Sequence, residues 1–387
     1  MDPAMLDRVK AAGIDTLLVD NSDEFDPVRS RAAQMGLKVV HPDDPPAGVR
    51  IVKGEWPGIR VSRGNADASA GPTGVPWVDS NGWAIRLSAA LHPESGVWIN
   101  AVPPKQAFPA SYLTAVADGG AYGGRWIVTL DDALAEGIAK GNDNAIRSWT
   151  AISQASTFFA AHRAWDGYTP AANLAVISDF TGGNEFFNQE LLNLLARAGQ
   201  HYVVLPKDRP LSIAGVRAAI YADTQAPSPA LRKALTAFVE AGGLLITTPV
   251  WGDAPTKQTS HPRYYGWTAG KGRIARAIEP PADPYEMTQD AVVLISHRHD
   301  LICFWNAGAY GSSYVVSPDR KQAVAHLLFY SNRGPDQASV RIAGPYRKVK
   351  ASTVDTPELK IETLAQKDAV EVHLPQVSQY VALELSV

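Results

Sequence analysis

Apolar runs that end at polar residues, each beside a helical pattern, recur through the first two thirds of this 387-residue chain. Residues 4–13 have helical spacing and end at a glycine, and residues 14–19 form an apolar run that stops at Asp20. A second helical pattern over 27–35 and a strand over 37–40 follow at once. Strands and helices that alternate with short connections are typical of parallel α/β structure. The sequence therefore predicts parallel sheets covered by helices.

The chain divides into three predicted parts. Residues 1–168 hold about five or six strand patterns, whereas a closed eight-stranded barrel usually needs about 250 residues. We therefore expect an incomplete or trimmed (β/α) barrel, or a fold that is no barrel. Residues 169–302 restart the alternation and predict a flavodoxin-like, doubly wound α/β domain. Residues 303–387 alternate apolar and polar positions between turns, which predicts a small antiparallel β-sandwich.

Composition excludes several classes of function. Hydrophobic residues make up 45% of the chain, so a large packed core is expected. The formal charge of -3 gives no electrostatic case for nucleic acid, and no apolar run is long enough to span a bilayer. Cys303 is the only cysteine, which excludes an intrachain disulfide and a cysteine-based zinc cluster. No signal peptide is evident, so we expect a cytoplasmic protein or a secreted one whose leader has been removed.

The order of the three parts resembles that of the three-domain barrel β-galactosidases. The stretches that carry the resemblance are 174–179, 241–245 and 270–273, together with the terminal sandwich. The middle part also resembles class I glutamine amidotransferases, but residues 248–252 contain no cysteine, so glutamine hydrolysis through a thiolate is not expected. The resemblance implies a carbohydrate substrate and a homo-oligomer built on the middle domain. The N-terminal part departs from the family, because it has no Asn-Glu pair at a strand end in the position that such enzymes use for the acid/base.

Cleavage of a glycosidic bond needs two carboxyl groups. Ligands of parallel α/β proteins bind at the carboxyl ends of strands, where the candidates are Asp20, Glu55, Asp79, Asp131 and Asp132. We predict Asp131 as nucleophile or base, because it follows the apolar run 126–130. We predict Glu55 as the acid, because the apolar ring of Trp56 beside it is expected to raise its pKa. The alternatives are a helix N-cap for Asp131 or Asp132 and an exposed loop carboxylate for Glu55.

Seven of the ten tryptophans lie in the first 165 residues. Indole faces stack on sugar rings, although tryptophan is also often buried in protein cores. The predicted substrate-binding residues are Trp56, Trp77, Asp79, Asn81, Trp83, Trp126 and Asp132. For Asp79 and Asn81 the alternative is a turn, because Asp-Ser-Asn-Gly is strong turn chemistry.

Two other motifs contain side chains that are able to bind an anion or a metal. Asp179 and Glu185 flank a predicted strand-to-helix connection, where an anion could bind or the side chains could cap the helix. His297 and His299 would point to different faces of a helix. We therefore expect no metal and no cofactor. The predicted function is a glycoside hydrolase that acts through paired carboxylates, and the alternative is a non-catalytic carbohydrate-binding or assembly protein.

Overall fold

The computed structural model describes residues 5–59, 62–63, 68–69, 77–104, 107–256, 259–331 and 337–387. Residues 63–73 are rich in Gly, Ala, Ser and Asn, which predicts a long loop, and they fall largely outside the described residues. None of the described helices is both long and apolar enough to cross a membrane. The α-helices are α1 Met5–Ala11, α2 Asp26–Gln34, α3 Gly82–Leu91, α4 Pro109–Ala121, α5 Asp132–Ala139, α6 Asp143–Ala161, α7 Glu185–Arg197, α8 Pro229–Glu240 and α9 Pro284–Ile295.

The strands of the first part are short, and those of the later parts are longer. The first group comprises β1 Thr16–Leu18, β2 Lys38–Val40, β3 Val49–Lys53, β4 Gly58–Ile59, β5 Ser62–Arg63, β6 Ala68–Ser69, β7 Val78–Asp79, β8 Gly96–Asn100 and β9 Arg125–Trp126. The next group comprises β10 Thr169–Pro170, β11 Leu174–Ser178, β12 Tyr202–Pro206, β13 Ala218–Tyr221, β14 Leu244–Thr247, β15 Thr259–His261, β16 Tyr264–Ala269 and β17 Gly272–Ala277. The last group comprises β18 Ile302–Phe304, β19 Tyr310–Val316, β20 Gln322–Phe329, β21 Ala338–Ala343, β22 Lys348–Ser352, β23 Glu362–Ala365, β24 Ala369–Leu374 and β25 Tyr380–Ser386.

Two small parallel sheets and two antiparallel strand pairs, β4-β7 and β5-β6, lie in the described residues of the first part. Strands β1 and β2 pair in one sheet, and β3, β8 and β9 pair in that order in the other. No ladder joins the two sheets within the described residues, so these strands do not close a barrel. The run 126–130, predicted as a strand, is paired only at its start. The Ile127 N–H donates to the Ile99 carbonyl at 2.9 Å, and the described residues beyond it run along an open sheet edge.

The middle of the chain forms a seven-stranded sheet in the order β12-β11-β13-β14-β17-β16-β15. The first five strands are parallel, and β16 and β15 are antiparallel. Every residue of β11 is buried, as expected for a strand covered on both faces. Helix α8 begins after Ser228, whose Oγ accepts a hydrogen bond from the Leu231 N–H at 3.2 Å. The α/β alternation predicted for this stretch therefore matches the observed elements.

The start of β17 lies very close to the backbone of α8. A Cβ added at Gly272 would overlap the carbonyl oxygens of Val239 and Gly243, which are backbone atoms with little freedom to withdraw. We expect Gly272→Ala to lower the free energy of unfolding by about 1–3 kcal/mol, measured by denaturant unfolding. Gly308→Ala is the matched control, because a Cβ there meets open space. Equal stability of the two variants would contradict this account.

The C-terminal part consists of two antiparallel sheets with a common core. One sheet has the order β10-β19-β20-β25-β22 and the other β18-β21-β24-β23. Strand β21 alternates buried and partly buried residues, which is the pattern of a strand with one face in a core. Residues from both sheets, including Phe329, Val340, Val372 and Leu383, form one apolar cluster.

Helix α3 connects the first part to the middle of the chain. Its Ile85 packs in the core that contains Ile99 and Phe159. Its Leu87 packs in the core of the seven-stranded sheet, with Leu191 and other residues of α7. One short helix therefore contributes side chains to two hydrophobic cores.

Candidate functional site

The predicted catalytic carboxylates follow two strands of one parallel sheet. Glu55 lies two residues after β3 and Asp131 five residues after β9. Both strands pair with β8, one on each side, so their carboxyl ends lie at the same edge. Neighbouring strands are about 4.8 Å apart, which puts β3 and β9 roughly 10 Å apart. Glu55 is exposed and Asp131 is partly exposed.

Aromatic rings fill the space between these two loops. The Trp56 ring makes edge-to-face contacts with Tyr112 and Trp126, each at 5.3 Å between centroids. Burial, and then the charge of Asp131, raise the pKa of the Tyr112 hydroxyl, so Tyr112 lies within electrostatic reach of Asp131. The ring of Trp56 packs into the core instead of lying on the surface as a platform.

Asp131 also has a structural role. It is the N-cap of α5, and its Oδ1 accepts a hydrogen bond from the Leu134 N–H at 2.8 Å. Asp132 occupies the first turn of the same helix and is exposed. One carboxylate oxygen of Asp131 therefore serves as the helix N-cap. The residue remains partly accessible to solvent.

Asn81 is 2% exposed, and its side chain makes hydrogen bonds to other residues of the protein. Its Oδ1 accepts from the Glu55 N–H at 2.9 Å, and its Nδ2 donates to the Glu55 carbonyl at 2.9 Å. The same Nδ2 donates to Asp118 Oδ2 at 3.0 Å, as does the Asn81 N–H at 2.9 Å. The Asn81 side chain makes no capping hydrogen bond to α3. It bridges the loop after β3 and a carboxylate on α4.

Asp118 is a fully buried carboxylate that the sequence analysis did not single out. Its Oδ1 accepts from the Ser80 hydroxyl and from the Tyr330 hydroxyl, both at 2.7 Å. Burial raises the pKa of Asp118, and the hydrogen bonds from Tyr330, Asn81 and Ser80 offset part of that effect. A charged residue among small apolar residues in the pattern of α4 is the sequence signal that could have identified it.

Trp77, Asp79 and Trp83 lie on the side of the first part that faces α7. The Trp77 indole N–H donates to Asp79 Oδ1 at 3.1 Å, and the guanidinium of Arg197 lies 3.4 Å from the centroid of the Trp77 ring. Arg197 also donates to the Val78 carbonyl at 3.2 Å. Trp83 packs against the core of the seven-stranded sheet. Trp83 thus packs in a different core from the one that contains Trp56 and Trp126.

A groove of about 730 Å3 lies between β1 and the segment 125–130. It runs along the open edges of the two small sheets, where a closed barrel would have further strands. Two ion pairs lie at the end where these strands begin, Arg125–Asp166 at 2.6 Å and Arg163–Asp15 at 3.8 Å. Of the predicted substrate-binding residues, only Trp126 lines it. Other lining side chains include Asp20, Trp98, Leu130 and Trp149.

The carboxyl ends of the middle sheet carry a second polar cluster. The Lys207 ammonium lies 2.8 Å from Asp179 Oδ2 and 2.9 Å from the buried Asp223 Oδ2. Asp179 Oδ1 accepts from the Thr181 N–H and from Asn184 Nδ2. The polar atoms of the cluster are thus paired with one another, and two carboxylates disfavour an anion. Within the described residues, no group of three or more His, Cys, Asp or Glu side chains could hold a metal ion.

Comparison with known proteins gives structural similarity without sequence similarity. No protein-family model matches the chain, and no curated protein matches it in sequence. The fold is similar to α-L-fucosidase isoenzyme 2 from Paenibacillus thiaminolyticus, with a TM-score of 0.52 and 13% identity over 93% of this chain and 70% of that one. It is similar to Gan42B, a GH42 β-galactosidase from G. stearothermophilus, with a TM-score of 0.51 and 10% identity over 94% of this chain and 66% of that one.

A rhamnosidase from Novosphingobium sp. PP1Y has a TM-score of 0.50 and 13% identity, over 98% of this chain and 39% of that one. The chain thus spans 70% and 66% of the first two proteins and a smaller share of the third. At these identities the similarity concerns the fold. The chain has a glycoside hydrolase-like fold of mixed α/β class, in which the described strands close no barrel.

Proposed function

We propose that this chain is a glycoside hydrolase that uses Glu55 and Asp131 as its two carboxyl groups. The observation that carries the proposal is that the loops holding them follow β3 and β9 at the same edge of the β3-β8-β9 sheet, with Tyr112 within electrostatic reach of Asp131. The glycoside hydrolase-like fold supports a carbohydrate as the substrate.

The strand spacing favours an inverting reaction. Carboxyl groups of inverting glycosidases lie about 6.5–9.5 Å apart and those of retaining enzymes about 5–5.5 Å. The spacing of roughly 10 Å between β3 and β9 is nearer to the first range. Glu55 then donates a proton to the leaving oxygen as the glycosidic bond breaks. Asp131 takes a proton from the water that attacks the anomeric carbon.

The groove between β1 and the segment 125–130 is the proposed path of the glycan. Its carboxyl end includes Asp20 and Leu130, and Leu130 immediately precedes Asp131. Trp126 and Asp132 are proposed to contact the sugar, with Trp56 behind them. Trp77, Asp79, Asn81 and Trp83 are proposed to support the site from the side of α3 and α7.

We interpret residues 1–168 as a trimmed (β/α) barrel, 169–302 as an amidotransferase-like domain and 303–387 as a β-sandwich. The strand order β12-β11-β13-β14-β17 is that of flavodoxin-like sheets and supports the middle assignment. Strands β10 and β18, at the two boundaries, pair with the antiparallel sheets. A homo-oligomer through the middle domain is supported by Phe186 on α7 and Val293 on α9, which are 79% and 65% exposed.

The test is hydrolysis of a panel of oligosaccharides and aryl glycosides by the wild-type chain and by a Glu55→Gln, Asp131→Asn double variant. We expect sugar release by the wild type and its loss in the double variant. Glu279→Gln is the control, because Glu279 is an exposed carboxylate after β17. Unchanged turnover in the double variant would refute the assignment of these residues.

A non-catalytic carbohydrate-binding or assembly protein is the second candidate. The observation in its favour is that Asp131 caps α5, so its carboxylate has a structural use without catalysis. Calorimetric binding of a glycan that the wild type never hydrolyses would favour this candidate.

A further inference from the structure

The backbone of Glu55 is held by a single amide side chain. Asn81 Oδ1 accepts from the Glu55 N–H while Asn81 Nδ2 donates to the Glu55 carbonyl, both at 2.9 Å. Fixing both backbone groups of one residue restricts its φ and ψ, and so restricts the direction in which its side chain leaves the loop. The Glu55 side chain itself is exposed and would otherwise be anchored only through the loop.

We propose that Asn81, Asp118 and Tyr330 are positioning residues that orient Glu55 toward the substrate. This inference rests on the proposed function, in which Glu55 is the acid. It adds a role for the C-terminal antiparallel sheets, because Tyr330 directly follows β20. The three side chains form one hydrogen-bonded path from the five-stranded sheet to the loop after β3.

Asp118 determines which end of the Asn81 amide faces the Glu55 N–H. A carboxylate oxygen accepts hydrogen bonds, so it selects the amide nitrogen of Asn81 and leaves the amide oxygen for the Glu55 N–H. Asp118 Oδ2 receives both the Asn81 N–H and Nδ2, at 2.9 and 3.0 Å. An alanine at position 118, which has no acceptor oxygen, would remove this selection.

Tyr330 fixes the other oxygen of Asp118. Its hydroxyl donates to Asp118 Oδ1 at 2.7 Å and lies 3.1 Å from Ser80 Oγ. Burial raises the pKa of Tyr330 well above its usual value, so the hydroxyl keeps the proton that it donates. The carboxylate is thus held from two sides, by Asn81 of the first part and by Tyr330 of the third.

Gly54 leaves room for this arrangement. A Cβ at position 54 would lie 2.5 Å from Asn81 Oδ1 and would also overlap the side chain of Ile99. Asn81 can therefore approach the loop this closely only beside a glycine.

The experiment compares Asn81→Ala and Tyr330→Phe with Tyr380→Phe. Tyr380 is a matched control, because it is buried and its hydroxyl makes a 2.7 Å hydrogen bond to His326 Nδ1, but that pair lies outside the path to Glu55. We expect Asn81→Ala to lower kcat by about 10- to 100-fold, the usual effect of removing a side chain that orients a functional group. We expect KM to change by less than about threefold, since uniform binding is untouched. Tyr330→Phe should also lower kcat with little change in KM, but the decrease in kcat should be smaller.

Hydrogen exchange supplies a measurement that needs no substrate. The Glu55 amide should exchange about two- to tenfold faster in Asn81→Ala, the factor that corresponds to one lost hydrogen bond. Tyr330→Phe should also accelerate exchange, whereas Tyr380→Phe should leave it unchanged. Unchanged exchange in both test variants, or a Tyr380→Phe effect of the same size, would overturn the positioning path.

Glu55→Gln and Asn81→Ala together distinguish a wrong catalytic assignment from a wrong positioning path. If Glu55→Gln keeps full turnover on oligosaccharides, the proposed function is wrong and the catalytic purpose of the path is overturned with it. If Glu55→Gln is inactive but Asn81→Ala keeps wild-type kcat, Glu55 remains the acid and the positioning inference alone is wrong.

Discussion

Glu55→Gln should lower kcat toward alkyl glycosides and oligosaccharides by about 10²–10⁴-fold, the usual contribution of a general acid. The amide has no proton to give to the leaving oxygen. An aryl glycoside whose phenol leaves as a stable anion needs no such proton, so the variant should retain most of its turnover on that substrate. The measurement is kcat against leaving-group pKa for wild type and variant. Equal losses on both substrate types would contradict the role of Glu55 as acid.

Asp131→Asn should show the complementary pattern. Loss of the base affects activation of water, so turnover should fall on good and poor leaving groups alike. Asparagine is as good an N-cap as aspartate, so the hydrogen bond to the Leu134 N–H can be kept. The variant should therefore unfold within about 0.5 kcal/mol of wild type. An Asp131→Asn chain that is both stable and fully active would show that this carboxylate only caps α5.

Asp118→Ala should lower the free energy of unfolding by about 3–5 kcal/mol. Four donors lose their acceptor together: the Asn81 N–H, Asn81 Nδ2, Ser80 Oγ and the Tyr330 hydroxyl. Unpaired buried donors cost about 1–3 kcal/mol each, and partial relaxation reduces the sum. Denaturant unfolding measures the change, with Glu279→Gln as an exposed carboxylate control. A loss under about 1 kcal/mol would show that water replaces the carboxylate.

The cost of Asp118→Ala should also depend on pH. Burial raises the pKa of Asp118 above its ordinary value of 3.8, so the folded chain binds this proton more tightly than the unfolded chain does. The contribution of Asp118 is then fully present below 3.8 and declines as the pH rises through the raised pKa. The difference in stability between wild type and variant should therefore shrink as the pH rises above 3.8. A difference in stability between wild type and Asp118→Ala that grows as the pH rises would contradict the predicted direction of this pH dependence.

Local patterns in the sequence predicted most helices and strands, because their periods depend only on neighbouring residues. The helical pattern over 27–35 appears as α2, and the alternation after residue 303 appears as the antiparallel strands. The pairing of each strand with its neighbours in a sheet could not be predicted in this way, because the paired residues are far apart in the sequence. The run 126–130 has the composition of a buried strand, yet only its first residue lies in β9, because no described strand pairs with its other edge.

The candidate site shows the same limit. The Asp-Ser-Asn-Gly stretch predicted a turn, and Asn81 indeed precedes α3, but the carboxylate that holds it lies 37 residues away. The contact between Tyr330 and Asp118 joins residues 212 positions apart and has no local signature. The tryptophans are close together in the sequence, whereas in the structure Trp56 contacts Trp126 and Trp83 packs in the core of the seven-stranded sheet.

Because α3 belongs to two hydrophobic cores, the two regions that contain these cores are expected to unfold together. Ile85 is buried with the first small sheets and Leu87 with the seven-stranded sheet, on a helix of 10 residues. A fragment cut at residue 168 would leave Leu87 and its neighbours facing water, and one that begins there would lose part of its own interior. Neither fragment is therefore expected to fold on its own. In the whole chain the two regions should unfold in a single calorimetric transition on heating.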